Sequence, residues 1–344
     1  MKPPLLGKTL PEITEIVQTL SGRADQAIAI SKWLYKKNEF NFDLIESISN
    51  TLRKSLDSSY SIGKYPPSKV TESKDKTRKY LFSNDTEQQF ESVFMPSAKR
   101  NTLCISSQSG CRMGCKFCLT GKIGFKGNLS VLDIVNQFYS IPDYKDVNRL
   151  VIMGMGEPFD NFFEVKKAVE IFTSQWGLAF GASNITISTV GLLDPLKQFL
   201  ENPFCNLAIS LNNPISAERK ELMPIENTNP ISEVINLIKQ SPLKKPLRLS
   251  FEYVALGGVN LYQQHAVGII DQLKGVNCHL NIICWNSHNG SPYYTPSELE
   301  LNSFISCLDK NGILASVRQS RGQDIGAACG QMAGNLLINN VCSM

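Results

Sequence analysis

Apolar residues recur at three- and four-residue spacing through about the first 60 residues of the chain. This period matches one face of an α-helix. It predicts three helices with short polar breaks between them, in the stretches LPEITEIVQTL, RADQAIAISKWLYKK and DLIESISNTLRKSL.

The apolar period then stops. KYPPSKVTESKDKTRKY contains Pro66 and Pro67 and is rich in lysine and arginine, which predicts a linker or an exposed arm. YLFSNDTEQQFESVFM follows and predicts two strands around an Asn84–Asp85 turn. We therefore divide the chain into a helical domain over 1–65, a basic linker with a β-hairpin over 66–100, and a core over 101–344.

From about residue 101 onward, short β-branched or apolar runs alternate with helical patterns. The runs are TLCIS, RLVIMGMG, NITISTV, NLAISL, LRLSFEYVAL, LNIICW and ILASVRQ. Alternating strands and helices predict βαβ units, a parallel sheet and an α/β fold. Six or seven such units favour a closed or partly closed barrel, whose chemistry lies at the carboxyl ends of the strands.

The composition is that of a globular protein, with 344 residues, 42% hydrophobic and 19% charged. The chain has no apolar run of about 18 residues and no secretory leader, so we expect a cytoplasmic protein with no membrane contact. The net charge of +4 permits a nucleic-acid partner without demanding one. Ten cysteines in such a chain indicate metal-binding, catalytic or buried thiols rather than a disulfide scaffold.

Three of these cysteines, Cys111, Cys115 and Cys118, follow directly after the first predicted barrel strand. A structural zinc ion needs four ligands, and none of the three histidines lies near them in sequence. A redox pair of Cys115 and Cys118 leaves Cys111 unexplained. Three ordinary buried thiols remain an alternative, although a loop flanked by glycine and lysine does not favour them. The fourth reading is an iron–sulfur cluster with three thiolate ligands and one iron open to a cofactor.

Further candidates lie where other strands end. VIMGMGEP follows the second strand, and its glycines let the backbone approach a ligand closely. Polar residues also end later strands, at Ser188, at Ser210 and Asn212, and at Asn286. Each of them alone fits a cap as well as a ligand, but together they are able to bind one.

Two more cysteines differ from the rest in their surroundings. Cys104 lies in the first barrel strand, and Cys329 lies in SRGQDIGAACGQMAG after the last strand. Small residues around Cys329 leave its thiol on open backbone. A C-terminal helix that packs small residues against the barrel explains the same pattern equally well.

The spacing C-x-x-x-C-x-x-C resembles the signature of the radical S-adenosylmethionine (SAM) enzymes. Several longer stretches closely resemble the RlmN/Cfr family of radical SAM RNA methyltransferases, and with the N-terminal helices they span nearly the whole chain. These stretches are TLCISSQSGCRMGCKFCLTGKIGFKGNLS, FESVFMP, MGMGEPFDN, ISTVG, ELMPI and VRQSRGQDIGAACGQMAG.

The resemblance implies a partial (β/α) barrel of the radical SAM type with a small N-terminal helical accessory domain that binds RNA. It implies one 4Fe–4S cluster bound by the three loop cysteines and open to SAM at one iron. It also implies that SAM is bound by residues at the strand ends: Gly156, Glu157, Ser188, Ser210, Leu211, Asn212 and Asn286.

The activity that the resemblance implies is methylation of C2, with C8 the less favoured position, of an adenosine in 23S rRNA or tRNA. Two SAM molecules are used per turnover. Cys329 takes a methyl group, a 5′-deoxyadenosyl radical activates that group, and it joins the ring carbon. Cys104 then forms a disulfide with Cys329 and releases the RNA, while Glu91 accepts a proton.

The same resemblance implies a monomer that receives electrons from a donor such as flavodoxin. Phosphate contacts are expected from the basic arm over 69–79 and from lysines and one arginine near the site. These residues are Lys99, Arg100, Lys116, Lys122 and Lys126.

The chain departs from the family pattern at three points. Asn212 stands where histidine is usual, Leu261 where aspartate is usual, and no proline follows Asn286. These departures leave the RNA target open. Two other functions stay open as well: a radical SAM activase or oxidoreductase that uses Cys104 and Cys329 as a redox pair, and a non-catalytic RNA-binding protein with zinc or a cluster.

Overall fold

The N-terminal helices lie close to where the apolar period predicts them. The computed structural model describes residues 2–38, 40–288 and 290–332. The helices are α1 (Leu10–Thr19), α2 (Gln26–Lys32), which continues as a π-helical turn over Trp33–Lys37, and α3 (Asn50–Ser59).

The prediction of one continuous third helix is wrong. Phe42–Leu44 form a separate 3₁₀ turn, and α3 begins only after Ser49. The Ser49 hydroxyl accepts a hydrogen bond from the Leu52 amide at 3.2 Å. A serine in this position starts a new helix rather than continuing an old one.

Twelve strands follow within the described residues. In chain order they are β1 (Lys69–Glu72), β2 (Arg78–Ser83), β3 (Gln89–Met95), β4 (Thr102–Ile105), β5 (Gln108–Gly110), β6 (Phe125–Asn128), β7 (Arg149–Ile152), β8 (Ile185–Thr189), β9 (Asn206–Ser210), β10 (Leu249–Ala255), β11 (His279–Cys284) and β12 (Ala315–Arg318). The remaining helices are α4 (Leu119–Lys122), α5 (Val131–Tyr139), α6 (Phe162–Thr173), α7 (Leu193–Glu201), α8 (Ser216–Leu222), α9 (Ile231–Gln240), α10 (Gln263–Leu273) and α11 (Glu298–Lys310).

Ten of these strands form one sheet, in the order β1-β2-β3-β4-β7-β8-β9-β10-β11-β12. The seven strands from β4 to β12 in this order pair in parallel, which confirms the predicted α/β core. The first four strands pair antiparallel, with Val93 of β3 opposite Cys104 of β4. The N-terminal hairpin is therefore continuous with the sheet of the barrel.

The prediction of an exposed linker after the N-terminal helices is partly wrong. Residues 69–72 form β1, which pairs with β2 from Lys69 opposite Leu81 to Glu72 opposite Arg78. Three of these four residues are exposed, so backbone pairing rather than apolar burial holds the strand. A strand of this kind leaves no apolar alternation in the sequence.

The parallel strands curl into a barrel that is only partly closed. One cavity is lined by Cys104 of β4, Val151 of β7, Ile283 of β11 and Arg318 of β12, so the two ends of the parallel set face each other. Within the described residues, however, no hydrogen-bonded ladder joins β12 to β4. This is the partial barrel that the sequence predicts.

Alternation along the strands places polar side chains inside the barrel. In β8 the buried Ile185 and Ile187 alternate with Thr186 and Ser188, and the last two line interior cavities. The interior is therefore polar and hollow, whereas the apolar core lies between the sheet and the helices.

The N-terminal helices share that apolar core. The ring of Tyr35 lies 5.8 Å from that of Tyr139 and 6.0 Å from that of Trp176, and the buried side chains of the helices belong to the same cluster as those of the barrel. The division of the chain at residues 65 and 100 stays a prediction, and residues 333–344 of the predicted core lie outside the described part. No helix among the described residues is long and apolar enough to cross a membrane.

Candidate active site at the carboxyl end of the barrel

A short hairpin closes the cysteine loop. β5 pairs antiparallel with β6, and the Cys111 amide donates to the Gly124 carbonyl at 3.1 Å. Gly110 has φ +73°, and a Cβ there would lie 1.8 Å from the Gly124 oxygen, so only glycine fits. The loop between these strands brings its three thiols to one cavity of about 160 Å³. That cavity is lined by Cys111, Cys115, Cys118, Gly154, Gly156, Glu157, Ser188, Ser210, Asn212, Glu252 and Cys329, together with apolar residues.

Two of the loop thiols, those of Cys111 and Cys115, are strongly desolvated. Burial raises the pKa of the Cys111 thiol to about 12, and burial together with Cys118 and Cys111 raises the pKa of Cys115 well above its usual value. Bound iron would reverse this preference, because a coordinating thiol loses its proton.

In the described part of the chain, no three His, Cys, Asp or Glu side chains converge on a site for a single metal ion. A single zinc ion therefore does not fit the three loop thiols. In a cubane cluster each thiolate binds a different iron, so the sulfurs need not meet at one point. The donor set fits such a cluster.

An apolar shell surrounds the loop. The half-buried cysteines pack against a cluster formed by Met113, Phe117, Val190, Leu222, Met223, Leu256 and Trp285. The Trp285 indole also donates to the Phe117 carbonyl at 3.2 Å, which ties the loop to the end of β11. This shell excludes water from the site and strengthens the electrostatic interactions within it.

The loop after β7 lines the same cavity, in part with its glycines. Gly156 has φ +98°, and a Cβ there would lie 2.5 Å from Cβ of Gln108. The buried Glu157 carboxylate accepts hydrogen bonds from the Phe159 and Val190 amides, each at 2.9 Å. Burial raises its pKa to about 7. Gly156 and Glu157 both line the cavity, as their predicted role requires, although the carboxylate also ties this loop to the end of β8.

Three of the other predicted residues, Ser188, Ser210 and Asn212, line the cavity, whereas Leu211 does not. Leu211 is fully buried, and its carbonyl accepts a hydrogen bond from Arg219 at 2.9 Å. Any contact of Leu211 with a cofactor stays a prediction.

Asn212 adopts a left-handed backbone conformation, with φ +56°. Its side-chain oxygen accepts from the Val254 amide at 2.8 Å and thereby fixes the end of β10. Asparagine and histidine are both enriched in this conformation. The departure from the family pattern at position 212 therefore preserves the local backbone.

Arg219 is a site residue that the sequence analysis missed. It is fully buried, pairs with Glu226, and donates to the carbonyls of Ser210 and Leu211 at 2.9 Å and of Val190 at 3.3 Å. One guanidinium thus ties the ends of β8 and β9 together beneath the cysteine loop. The charged run AERKEL contains no sign that its one arginine is buried.

Cys329 lies in the wall between two cavities. It lines the cavity of the loop cysteines and also a smaller one, of about 60 Å³, that contains Cys104. Its exposed surface faces these cavities, and the surrounding protein still desolvates the thiol and raises its pKa, an effect that nearby Arg318 opposes. The two cysteines that the sequence singled out are thereby brought to one cavity.

Cys104 is buried, and burial followed by the nearby Cys329 raises the pKa of its thiol to about 12. The guanidinium of Arg318 lines the same cavity and pairs with Glu252 at 3.3 Å. Its positive charge opposes the rise in pKa of both thiols. Arg318 is a second residue that the sequence analysis did not assign.

The carrier loop, defined as residues 319–332, is fixed on the side of the cysteine loop. The Leu119 amide donates to the Gly330 carbonyl at 2.8 Å, and the Asn286 amide group donates to the Cys329 carbonyl at 3.1 Å. Asn286 also accepts from Gln323 at 2.7 Å and does not line the cavity of the loop cysteines. Its side chain positions Cys329, and its predicted contact with SAM stays a prediction.

The hairpin of β1 and β2 fixes the other side of the carrier loop. Asp75 accepts from the Gly322 amide at 3.1 Å, and the Ser73 hydroxyl donates to Asp324 at 2.5 Å. Lys79 donates to the Gly326 carbonyl at 3.3 Å. The segment predicted as a linker is thus a clamp on the loop that contains Cys329.

Lys79 is not the exposed phosphate contact that the sequence predicts. Lys79 and Glu91 are 4% and 0% exposed, and their side chains form an ion pair at 3.2 Å. The prediction for Lys79 is wrong because the residue lies inside the strand, where it faces the core and a buried carboxylate. Glu91 lines neither of the two thiol cavities, and its role as proton acceptor stays a prediction.

The other predicted phosphate contacts lie at different places. Lys116, Lys122 and Lys126 are exposed on the cysteine loop and on β6, although Lys116 pairs with Glu221 at 3.2 Å. Arg100 instead lies before β4 and lines a separate cavity at the opposite, amino end of the barrel. Its predicted place near the cysteine loop is wrong.

Comparisons with known proteins agree with this geometry. Residues 105–266 match the family model described as the radical SAM superfamily. The chain is 41% identical over 332 residues to a protein of Phocaeicola vulgatus named a probable dual-specificity RNA methyltransferase RlmN, with 96% of this chain and 95% of that one covered. It is 37% identical to the protein of Syntrophus aciditrophicus named dual-specificity RNA methyltransferase RlmN, with 96% of each covered. A solved radical SAM methyltransferase from Sphaerobacter thermophilus superimposes with a TM-score of 0.89 at 34% identity, covering 96% of this chain and 99% of that one.

Proposed function

The chain belongs to the RlmN dual-specificity RNA methyltransferases of the radical SAM superfamily, and on that premise we propose that it methylates a ring carbon of adenosine in RNA through Cys329. The observation that carries the proposal is the position of Cys329 between two cavities. One cavity contains the three loop cysteines and the strand-end residues, and the other contains Cys104.

The residues at the larger cavity fit the cofactors of this family. Cys111, Cys115 and Cys118 would bind three irons of a 4Fe–4S cluster, and the backbone of residues 154–157 with Ser188 and Ser210 would bind SAM at the fourth. When bound, the cluster and SAM supply a one-electron cleavage that yields a 5′-deoxyadenosyl radical. The protein binds and orients the reactants and keeps water away.

The chain itself contributes two thiols. Cys329 accepts a methyl group from one SAM and presents it to the larger cavity, where a second SAM is consumed to activate it. The methyl group gives up one hydrogen atom to the 5′-deoxyadenosyl radical, and its carbon bonds to the adenine ring while it stays bonded to Sγ of Cys329. The hydrogen of that ring carbon leaves as a proton, and the odd electron would return to the cluster when it is bound.

Release of the RNA is the task of Cys104. Its thiolate attacks Sγ of Cys329, so that an S–S bond forms and the bond from Sγ to the RNA-borne carbon breaks. The electron pair stays with that carbon, which takes up a proton and becomes the methyl group. An external thiol reductant restores the two thiols.

The acceptor is an adenosine that is withdrawn from its stack, because an enzyme that acts on a base ring must reach it from outside the helix. We favour C2 over C8, in 23S rRNA or tRNA, with Glu91 as proton acceptor. A cytoplasmic monomer that receives electrons from a donor such as flavodoxin completes the proposal.

The experiment is anaerobic turnover of the reconstituted protein with RNA, followed by mass spectrometry. A methyl group on the Cys329 peptide is expected in the active protein, and Cys104→Ala is expected to accumulate a covalent RNA–protein adduct. Cys278→Ala is the matched control, because Cys278 is half-buried and lines neither thiol cavity.

Normal product formation by Cys104→Ala would remove Cys104 from the mechanism. SAM cleavage without any methylation of Cys329 or RNA would favour a radical SAM oxidoreductase that uses the two thiols as a redox pair.

A further inference from the structure

A third cavity, of about 600 Å³, opens at the amino end of the barrel, opposite the cysteine loop. Most of its lining comes from the first residues of the strands and the segments that precede them, whereas Val151 and Arg318 lie further along their strands and also line the cavity of Cys104. Its polar lining consists of Arg100, Thr102, Arg149, Ser183, Thr186, Asn206, Arg248, Ser250, His279, Asn281, Ser316 and Arg318. This volume is within the range of small-molecule sites.

The charge of this lining is one-sided. Four arginines and one histidine face the cavity, and its lining contains no carboxylate. Arg318 pairs with Glu252, but none of the ion pairs among the described residues involves Arg100, Arg149 or Arg248. Within the described part of the chain, these three guanidiniums therefore lie at one cavity without an ion-pair partner.

The charges of Arg100 and Arg248 act unfavourably on the guanidinium of Arg149. Burial, then Arg100, then Arg248 lower the pKa of Arg149. The fold thus places three positive charges at one polar, open cavity, where they make no contribution to hydrophobic packing. A bound anion would relieve this repulsion.

We propose that this basal cavity is a binding site for a phosphoryl group, distinct from the cavity of the three loop cysteines, with which it shares no lining residue. Planar guanidiniums bind phosphate oxygens through paired N–H donors, and the hydroxyl and amide side chains of Thr102, Ser250 and Asn281 add further donors. The chemistry is that of a phosphate ester or pyrophosphate. A free nucleotide and the terminal phosphate of an RNA strand both supply it.

The test uses the full chain and three probes: inorganic pyrophosphate, ADP, and a short 5′-phosphorylated oligonucleotide. Affinity is measured by calorimetry for wild type, Arg149→Gln, Arg248→Gln and the double variant. Arg23→Gln is the matched control, because it removes the same charge from an exposed arginine that does not line the cavity. Each cavity variant is expected to weaken binding about tenfold, and Arg248→Lys to retain part of it.

The probes separate the two sources of the phosphate. Binding of pyrophosphate and ADP that depends on the arginines indicates a small phosphorylated ligand, whereas dependence seen only with the oligonucleotide indicates an RNA end. Equal affinity of wild type and the double variant for all three probes would overturn the proposal.

A thermal unfolding experiment separates binding from a structural role. Without probe, the double variant should unfold at the same temperature as wild type or higher, because repulsion is removed. With pyrophosphate, only wild type should gain stability. A double variant that is less stable without probe would show that the arginines serve the fold, and would contradict the proposal.

Discussion

Lys79→Met tests whether the buried pair of β2 and β3 supports both the fold and the carrier loop. The change removes the cation that lies 3.2 Å from the Glu91 carboxylate, in a place where both side chains are at most 4% exposed. Removal of one partner from a buried ion pair costs about 3–5 kcal/mol, because the other charge stays buried after its ion pair is lost. With about 2.1 cal/mol/K of unfolding entropy per residue, a chain of 344 residues loses about 0.7 kcal/mol per degree, so the melting temperature should fall by about 4–7 °C.

Thermal unfolding followed by circular dichroism measures this shift. Lys76→Met is the matched control, because Lys76 lies in the turn between β1 and β2 and its side chain is 72% exposed in a surface pair with Glu72. Its loss should change the free energy of unfolding by less than about 1 kcal/mol. Lys79→Met combined with Glu91→Gln removes both charges and should recover much of the lost stability.

Lys79→Met also deletes the hydrogen bond to the Gly326 carbonyl, so the methyl content of Cys329 should fall in both variants that contain it. The reasoning is refuted if the single variant melts with wild type, or if the double variant is as unstable as the single one.

Three further predictions concern the site itself. Gly156→Ala should lower the free energy of unfolding by about 2–4 kcal/mol and abolish SAM binding in equilibrium dialysis, because the new Cβ would lie 2.5 Å from Gln108. Gly275→Ala is the control: at φ +79° in open space it should lower the free energy of unfolding by only about 1–2 kcal/mol and leave SAM binding intact. Asn212→His should change stability by less than about 1 kcal/mol and Asn212→Val should lose about 1–3 kcal/mol in thermal unfolding, and equal losses would contradict the left-handed backbone as the reason for asparagine. Because the pKa of Cys104 is raised to about 12, its thiolate fraction grows with pH, and release of RNA from the covalent adduct should accelerate about tenfold per pH unit from 7 to 10; a flat profile in quenched-flow assays would exclude this thiolate as the attacking group.

The alternating pattern of the sequence was sufficient for the parallel core. The apolar periods of strands and helices are set by neighbouring residues, so they can be recognised in the sequence. In β8, for example, isoleucines that face the helices alternate with polar residues that face the barrel interior. β1 was missed because it is held by backbone pairing and leaves its side chains exposed. The break before α3 was missed because Ser49 interrupts a period that is otherwise continuous.

The residues of the candidate site also fall into those that the sequence predicts and those that it does not. The cysteines and the glycine–glutamate loop were found because their spacing is short and local. The buried Arg219, Arg318 and Lys79 were not found, since burial of a charged side chain depends on partners that are far away in sequence, such as Glu252 for Arg318. Asn286 was found as a strand-end residue, but its contact with the Cys329 carbonyl depends on the folded carrier loop.

The position of Cys329 in a wall common to two cavities imposes an order on events. One sulfur atom cannot be bonded to Sγ of Cys104 and take up a methyl group at the same moment, so the disulfide and the methylated state exclude each other. A disulfide formed in air would hold the atom on the Cys104 side, and protein isolated aerobically should then take up no methyl group until a reductant is added. The resting oxidation state of two thiols thereby decides whether a cycle begins at all.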